Sequence, residues 1–207
     1  MMTLYHYWRS TCSWRVRMML AHKKIAVTYK HVNLLDDETD LPEHRARNPM
    51  GYVPVLEIAP KKYLFESVAI GEWLEENHPA NALFPKDSFA RAEVRTLCEL
   101  VNAGIQPLGN LTVVEHLSND AEERKRWTQH WVKNGFQAYE KIVAKTAGEF
   151  AFGNTLTMAD IFLVPQCYAA LRNDVDLSEF PLIQKINANI LRTEAAQASH
   201  PDKFKPA

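Results

Sequence analysis

The chain reads as a small mixed α/β domain followed by an all-helical one. Two observations carry that reading. Over the first eighty or so residues the hydrophobic period alternates between about two and about 3.6 residues, whereas from Ser88 onward it stays helical. A third observation is the short apolar, proline-containing stretch Leu83-Phe84-Pro85, which reads as the linker between residues 1–82 and 88–207.

The elements follow in order. Leu4–Trp8 and Val27–Asn33 are predicted strands flanking a helix from about Ser13 to Lys24, with Val16, Met19 and Leu20 on one stripe. That makes a β-α-β unit, and a further helix, of uncertain position, follows it. Val55–Ala59 and Tyr63–Glu66 are short strands around a turn at Pro60-Lys61-Lys62. A helix from Ser67 to about Asn77 closes the first domain, ended by His78-Pro79. In the second domain Val94, Leu97, Cys98, Val101 and Ile105 keep the helical period, as do Trp127, Trp131, Phe136, Tyr139 and Val143. These aromatic residues predict core. Thr157-Met158-Ala159-Asp160 opens another helix as a capping-box variant, and Pro181 to Leu191 gives a last one.

Composition narrows the function classes. A chain of 207 residues, 46% hydrophobic, has ample core for one large domain or two small ones. No stretch approaches the roughly 18 apolar residues of a membrane span, and no basic-then-apolar leader opens the chain. Cys12, Cys98 and Cys167 are odd in number and lack paired or metal-like spacing, which suits a reducing, cytoplasmic compartment. The eight histidines are scattered, so no metal is expected. A net charge of −1 with mixed signs argues against nucleic acid as a partner.

Three segments carry chemistry. Arg9-Ser10-Thr11-Cys12-Ser13-Trp14-Arg15-Val16-Arg17 places small donors and arginines where the first strand gives way to the first helix. Unsatisfied N–H groups and partial positive charge there favour an anion or a thiolate, while Ser10 or Thr11 equally suits an ordinary N-cap. Before the third strand, Val53-Pro54 leaves Val53 extended, either to pair through its main chain with an extended ligand or to make a tight cis-proline turn. Glu66-Ser67 stands at another helix start, where Ser67 reads as an N-cap or as part of a carboxylate site. Together they outline a groove for a short anionic peptide bearing a thiol.

In that order, these segments resemble the glutathione transferases, whose thioredoxin-like first domain precedes an all-α second domain. Residues 7–17 are similar to the Ser-Ser-Cys-Ser-Trp-Arg-Val-Arg motif of the zeta class, a motif specific to that class. Asn48-Pro49-Met50-Gly51, Ile105-Gln106-Pro107-Leu108 with Asn110-Leu111, and Met158-Ala159-Asp160 through Gln166 resemble further zeta-class segments, so the likeness spans nearly the whole chain. The resemblance implies glutathione as cofactor, a homodimer, and cis–trans isomerisation of maleylacetoacetate-type diacids in aromatic amino acid catabolism by thiolate addition, rotation and elimination. Maleylpyruvate isomerase and a conjugase or dehalogenase of small α-halo acids are the alternatives within the family. A non-enzymatic regulator on the same fold is the alternative outside enzymes, although it has no use for Ser10, Ser67 and Arg172 together.

Position by position, the resemblance puts Ser10 on the serine that holds the thiolate, with Thr11 and Cys12 beside it as catalytic neighbours. Cys12 has two readings: shaping the pocket, or acting as a low-pKa nucleophile. Glutathione-binding positions fall on Ser10, Thr11, Cys12, Ser13, Trp14, Arg15, Val53, Pro54, Glu66, Ser67, Gln106, Asn110, Leu111 and Thr112. Arg9 and Arg172 are the candidates for substrate carboxylates, since a guanidinium fork fits that geometry. Thr11, Glu66 and Gly109 depart from the class pattern, where serine, glutamine and glutamine stand.

Overall fold

The first unit is built on a four-stranded sheet of order β2-β1-β3-β4, from β1 (Met2–His6), β2 (Val27–His31), β3 (Val55–Ala59) and β4 (Lys62–Phe65). β1 and β2 run parallel, which requires a crossover; α1 (Thr11–His22) supplies it. β3 pairs antiparallel with both β1 and β4, with Tyr5 opposite Val55 and Val55 opposite Phe65. The uncertain middle helix is a single short turn, α2 (Pro42–Arg45), and α3 (Ser67–Asn77) follows β4. Leu4, Val16, Met19, Leu20, Leu56, Ile70 and Leu74 are fully buried and form the core of this unit. The structure is a computed structural model, and it describes residues 1–206.

The second unit, Leu83–Arg192, contains only helices: α4 (Ser88–Asn102), α5 (Leu111–Leu117), α6 (Ala121–Thr146), α7 (Met158–Arg172) and α8 (Pro181–Leu191). Both α4 and α8 pack on α7, which is buried from Met158 through Cys167. The aromatic stripe expected on α6 is partly displaced. Phe136, Tyr139 and Val143 are core, but the buried face continues through Val132 and Thr128 rather than Trp131 and Trp127. The indole N–H of Trp127 instead reaches the Leu108 carbonyl at 2.8 Å.

The second boundary also differs from the sequence reading, which assigned everything from 88 to 207 to the helical domain. The segment from Thr193 onward groups with the first unit. Its helix α9 (Glu194–Ser199) packs on α1, where Trp14 Nε1 donates to Ser199 Oγ at 3.0 Å. With α3 and α9 both packed on it, α1 is buried on every side from Ser13 to Leu20, which is why its sequence shows a weaker stripe than an ordinary surface helix.

The capping box of α7 is present, and Asp160 lies at the centre of it. Its carboxylate accepts from the N–H of Ala151 (2.8 Å), the N–H of Thr157 (2.8 Å) and the Thr157 hydroxyl (3.0 Å). Burial nevertheless outweighs those bonds and pushes the carboxyl up to about 6. A carboxyl with a raised pKa in the fold binds its proton more tightly folded than unfolded. Its contribution is therefore full below about pH 4 and declines as pH rises to about 6, by on the order of 3 kcal/mol. Asp160→Asn, which removes this titration, is expected to destabilise the protein throughout, since one oxygen cannot satisfy three donors. In urea unfolding its deficit relative to the parent should narrow between about pH 4 and pH 7. A deficit that widens over that range would contradict the burial-dominated reading.

Candidate active site

Ser10 is the N-cap of α1. Its extended backbone (φ −65°, ψ 124°) turns the Oγ back to accept the Ser13 N–H at 3.1 Å. A hydroxyl that accepts this bond still has its own proton to donate. The two readings of Ser10 are thus compatible: a lone pair caps the helix while the O–H addresses an anion. Thr11 and Cys12, the first residues of α1, are partly exposed beside it, and the Cys12 thiol is free.

The next three residues of the motif behave otherwise. The side chains of Ser13, Trp14 and Arg15, expected at the ligand, are buried within the fold, none more than 1% exposed. Trp14 is committed to Ser199, and Arg15 Nη1 donates to Ser67 Oγ at 3.2 Å. In this structure their side chains support the fold around the turn. Arg9 stays partly exposed, its guanidinium 5.3 Å from the Trp8 ring centroid.

The Val53-Pro54 bond is cis. Pairing to β1 begins only at Val55, so Val53 stands outside the ladder while its side chain is buried. The loop before it is fixed from behind. His44 Nε2 (3.1 Å) and Asn48 Nδ2 (3.0 Å) both donate to the Tyr52 carbonyl, and burial keeps the His44 imidazole below its ordinary range. Gly51 is in the left-handed region (φ 69°), and a Cβ there would stand 2.6 Å from the Arg45 guanidinium carbon. This explains the glycine in Asn48-Pro49-Met50-Gly51.

At the third segment Ser67 is not the N-cap. Glu66 takes that place with φ 68° and ψ 117°, a conformation unfavourable to a residue with a Cβ, and Ser67 becomes the first residue of α3. As the first residue of α3, Ser67 has an N–H without an intrahelical acceptor, and its buried hydroxyl is held by Arg15. Glu66 itself is exposed. The first unit thus holds a hydroxyl donor at one helix start, a residue just before β3 that is left out of the ladder, and a second helix start. That set fits a short anionic peptide with a thiol.

In the second unit, Gln106 opens a 3-10 turn and donates through Nε2 to Asn110 Oδ1. Asn110 precedes α5, and Leu111 and Thr112 are exposed at its start. Trp127 secures this turn through Leu108, and Gly109 lies where a Cβ would meet the Thr128 methyl at 3.2 Å. Arg172 is exposed in the last turn of α7, where a cation also suits the helix dipole, with its guanidinium 5.8 Å from the Tyr168 ring. Among the described residues no group of three or more His, Cys, Asp or Glu could hold a metal, and no helix is long and apolar enough to cross a membrane.

Known proteins supply the remaining context. Residues 4–82 match the glutathione S-transferase N-terminal domain and residues 106–196 its C-terminal domain. A Drosophila melanogaster protein named probable maleylacetoacetate isomerase 2 is 43% identical, with 96% of this chain and 87% of that protein covered. The Mus musculus maleylacetoacetate isomerase is also 43% identical, over 96% of this chain and 91% of its own. Among solved structures, a bacterial zeta-class maleyl pyruvate isomerase superposes with a TM-score of 0.93 at 36% identity, covering 96% of both chains. The maleylacetoacetate isomerase of Anaeromyxobacter dehalogenans, with glutathione bound in its active site, gives 0.90 at 42% identity, over 99% of this chain and 96% of that one. This chain belongs to the glutathione S-transferase family, in the zeta-class branch that contains maleylacetoacetate isomerases.

Proposed function

We propose that the chain is a glutathione-dependent cis–trans isomerase of maleylacetoacetate-type diacids. The observation that carries the reading is the Ser10 cap, with its hydroxyl proton left to donate, within a class-specific motif of a chain 43% identical over nearly its whole length to such isomerases. When bound, glutathione supplies a thiolate that adds to the alkene conjugated with a ketone, permits rotation about the resulting single bond, and leaves to give the trans isomer.

The chain's own residues then have distinct tasks. Ser10 donates to the sulfur, and with the N-terminal end of α1 it favours the ionised thiol over the neutral one. Thr11 and Cys12 shape the wall beside the sulfur. Val53 pairs the tripeptide main chain as an added strand, with Pro54 fixing its direction. Ser67 receives an anionic end at the start of α3, while the Glu66 carboxylate, which can only accept, meets the tripeptide's ammonium. Gln106, Asn110, Leu111 and Thr112 are the second unit's glutathione contacts. Arg9 and Arg172 hold the substrate carboxylates, and fixed cations there also stabilise charge that develops on the ketone oxygen.

The partners in this reading are glutathione and a small anionic substrate, with a second copy of the chain as a homodimer in the cytoplasm. Sedimentation showing only monomer at micromolar protein would contradict the dimer. The reaction is tested by comparing turnover of maleylacetoacetate, maleylpyruvate and dichloroacetate with glutathione present. The diacid isomerisations are expected to dominate. Dichloroacetate turnover exceeding both would favour the conjugase or dehalogenase reading.

A further inference from the structure

The second arginine of the motif, Arg17, is fully buried, and it grips the segment that presents Ser10. It lies seven residues after Ser10, two turns along the same helix, and helical side chains lean back toward the N-terminus. The guanidinium therefore reaches the strand-to-helix turn from behind. Nη1 donates to the Tyr7 carbonyl at 3.3 Å and Nη2 to the Trp8 carbonyl at 2.9 Å. The Tyr7 carbonyl also accepts the Ser10 N–H at 3.2 Å, so the bond that closes the turn and the bond from Arg17 share one oxygen. Nη1 further meets His6 Nδ1 at 3.1 Å; burial first, and Arg17 next, push that imidazole down to about 3, so the ring is neutral, and because a guanidinium can only donate, Nδ1 is the nitrogen that accepts.

The C-terminal segment holds this fork in place. Nε donates to the Ser199 carbonyl at 3.2 Å, and Ser199 is itself anchored by the Trp14 indole. Beyond α9, the Phe204 ring covers the guanidinium with its centroid 4.7 Å from Cζ, while meeting His6 and Tyr29 edge-on at 5.4 and 4.8 Å. Arg17 is fully buried, so its donors are aimed by this packing and not by solvent.

We propose that Arg17, clamped by Ser199 and Phe204 of the C-terminal segment, is a positioning residue that fixes the Tyr7–Ser10 turn and so aims the Ser10 hydroxyl at the thiol sulfur. The inference rests on the reading of Ser10 as thiolate donor. It assigns the last residues of the chain a part in the chemistry of the first unit, through a chain of bonds lying wholly within that unit.

The test follows the ultraviolet thiolate band of bound glutathione as a function of pH, together with isomerase kinetics, in full-length Ser10→Ala, Arg17→Lys, Phe204→Ala, Phe204→Tyr and Lys203→Ala. Arg17→Lys keeps the charge but loses the fork, and Phe204→Ala removes the cover while leaving Arg17 untouched. Both should raise the apparent pKa of the bound thiol by about half a unit and lower kcat about threefold to tenfold, with the KM for glutathione within about twofold. Phe204→Tyr should restore the parent profile, and Lys203→Ala, an exposed neighbour, should not depart from it. If Arg17→Lys fails to fold, Phe204→Ala alone decides. A Phe204→Ala protein that melts earlier but titrates like the parent would overturn the positioning role, provided Ser10→Ala moves the band. A band unmoved in Ser10→Ala would instead reject the thiolate-donor reading underneath.

Discussion

Replacing Ser10 by alanine should lower glutathione-dependent turnover by more than about tenfold while leaving the fold intact, because one fixed donor to a developing or resident anion is worth a few kcal/mol. The same substitution removes the cap of α1, at a cost of about 1 kcal/mol in stability, so the two effects must be separated. Ser10→Asp does so. A carboxylate caps the helix well but has no proton to give near neutral pH and repels a thiolate. It should therefore keep the thermal midpoint and lose the activity, whereas Ser10→Thr should retain much of both. Cys12→Ala is expected to keep substantial turnover and to shift the Michaelis constant, since the Cys12 thiol lies partly exposed beside the cap. If Cys12 proved indispensable and Ser10 dispensable, the cysteine would be the nucleophile and the assignment here would be reversed.

Arg172→Ala should cost about ten- to a hundredfold in kcat/KM for the diacid, with little change in glutathione affinity. The helix starts of the first unit are taken up by glutathione in this account, so cations for the substrate must come from elsewhere. Arg172 is exposed at the end of α7. The alternative is that it serves the dipole and stacks on Tyr168, a role that is indifferent to substrate charge. Kinetics with a neutral electrophile beside the diacid distinguish the two. A smaller defect with the neutral compound supports carboxylate binding, and equal losses with both assign Arg172 to the fold.

Much of the architecture was legible because local chemistry determined it. The period switch after Trp8, the hairpin after Ala59 and the Thr157–Asp160 capping box are each properties of a few adjacent residues, and each is where the sequence places it to within a few residues. What could not be read depends on long-range docking. With Pro181 to Leu191 read as the last helix, α9 was missed altogether, and its return to α1 left no local signal. Ser13, Trp14 and Arg15 look like ligand residues because they are contiguous with Ser10; yet a helix turns successive side chains through about 100°, and theirs face the interior. Glu66 shows the same limit in backbone form. A positive φ at a residue with a Cβ is invisible to propensity, and it displaces Ser67 from cap to first helical residue. Trp127, which secures the Gln106–Asn110 turn, was hidden inside a stripe whose spacing suggested core.

The central claim is that glutathione acts here as a returning catalyst for a change of double-bond geometry. Proton NMR of the purified protein with the cis diacid, followed with and without glutathione, tests it most directly. The cis vinylic signals are expected to convert to those of the trans isomer only when glutathione is present, with the glutathione signals recovered undiminished at the end. Glutathione consumed one for one into a stable thioether, or isomerisation that proceeds equally without it, would contradict the account.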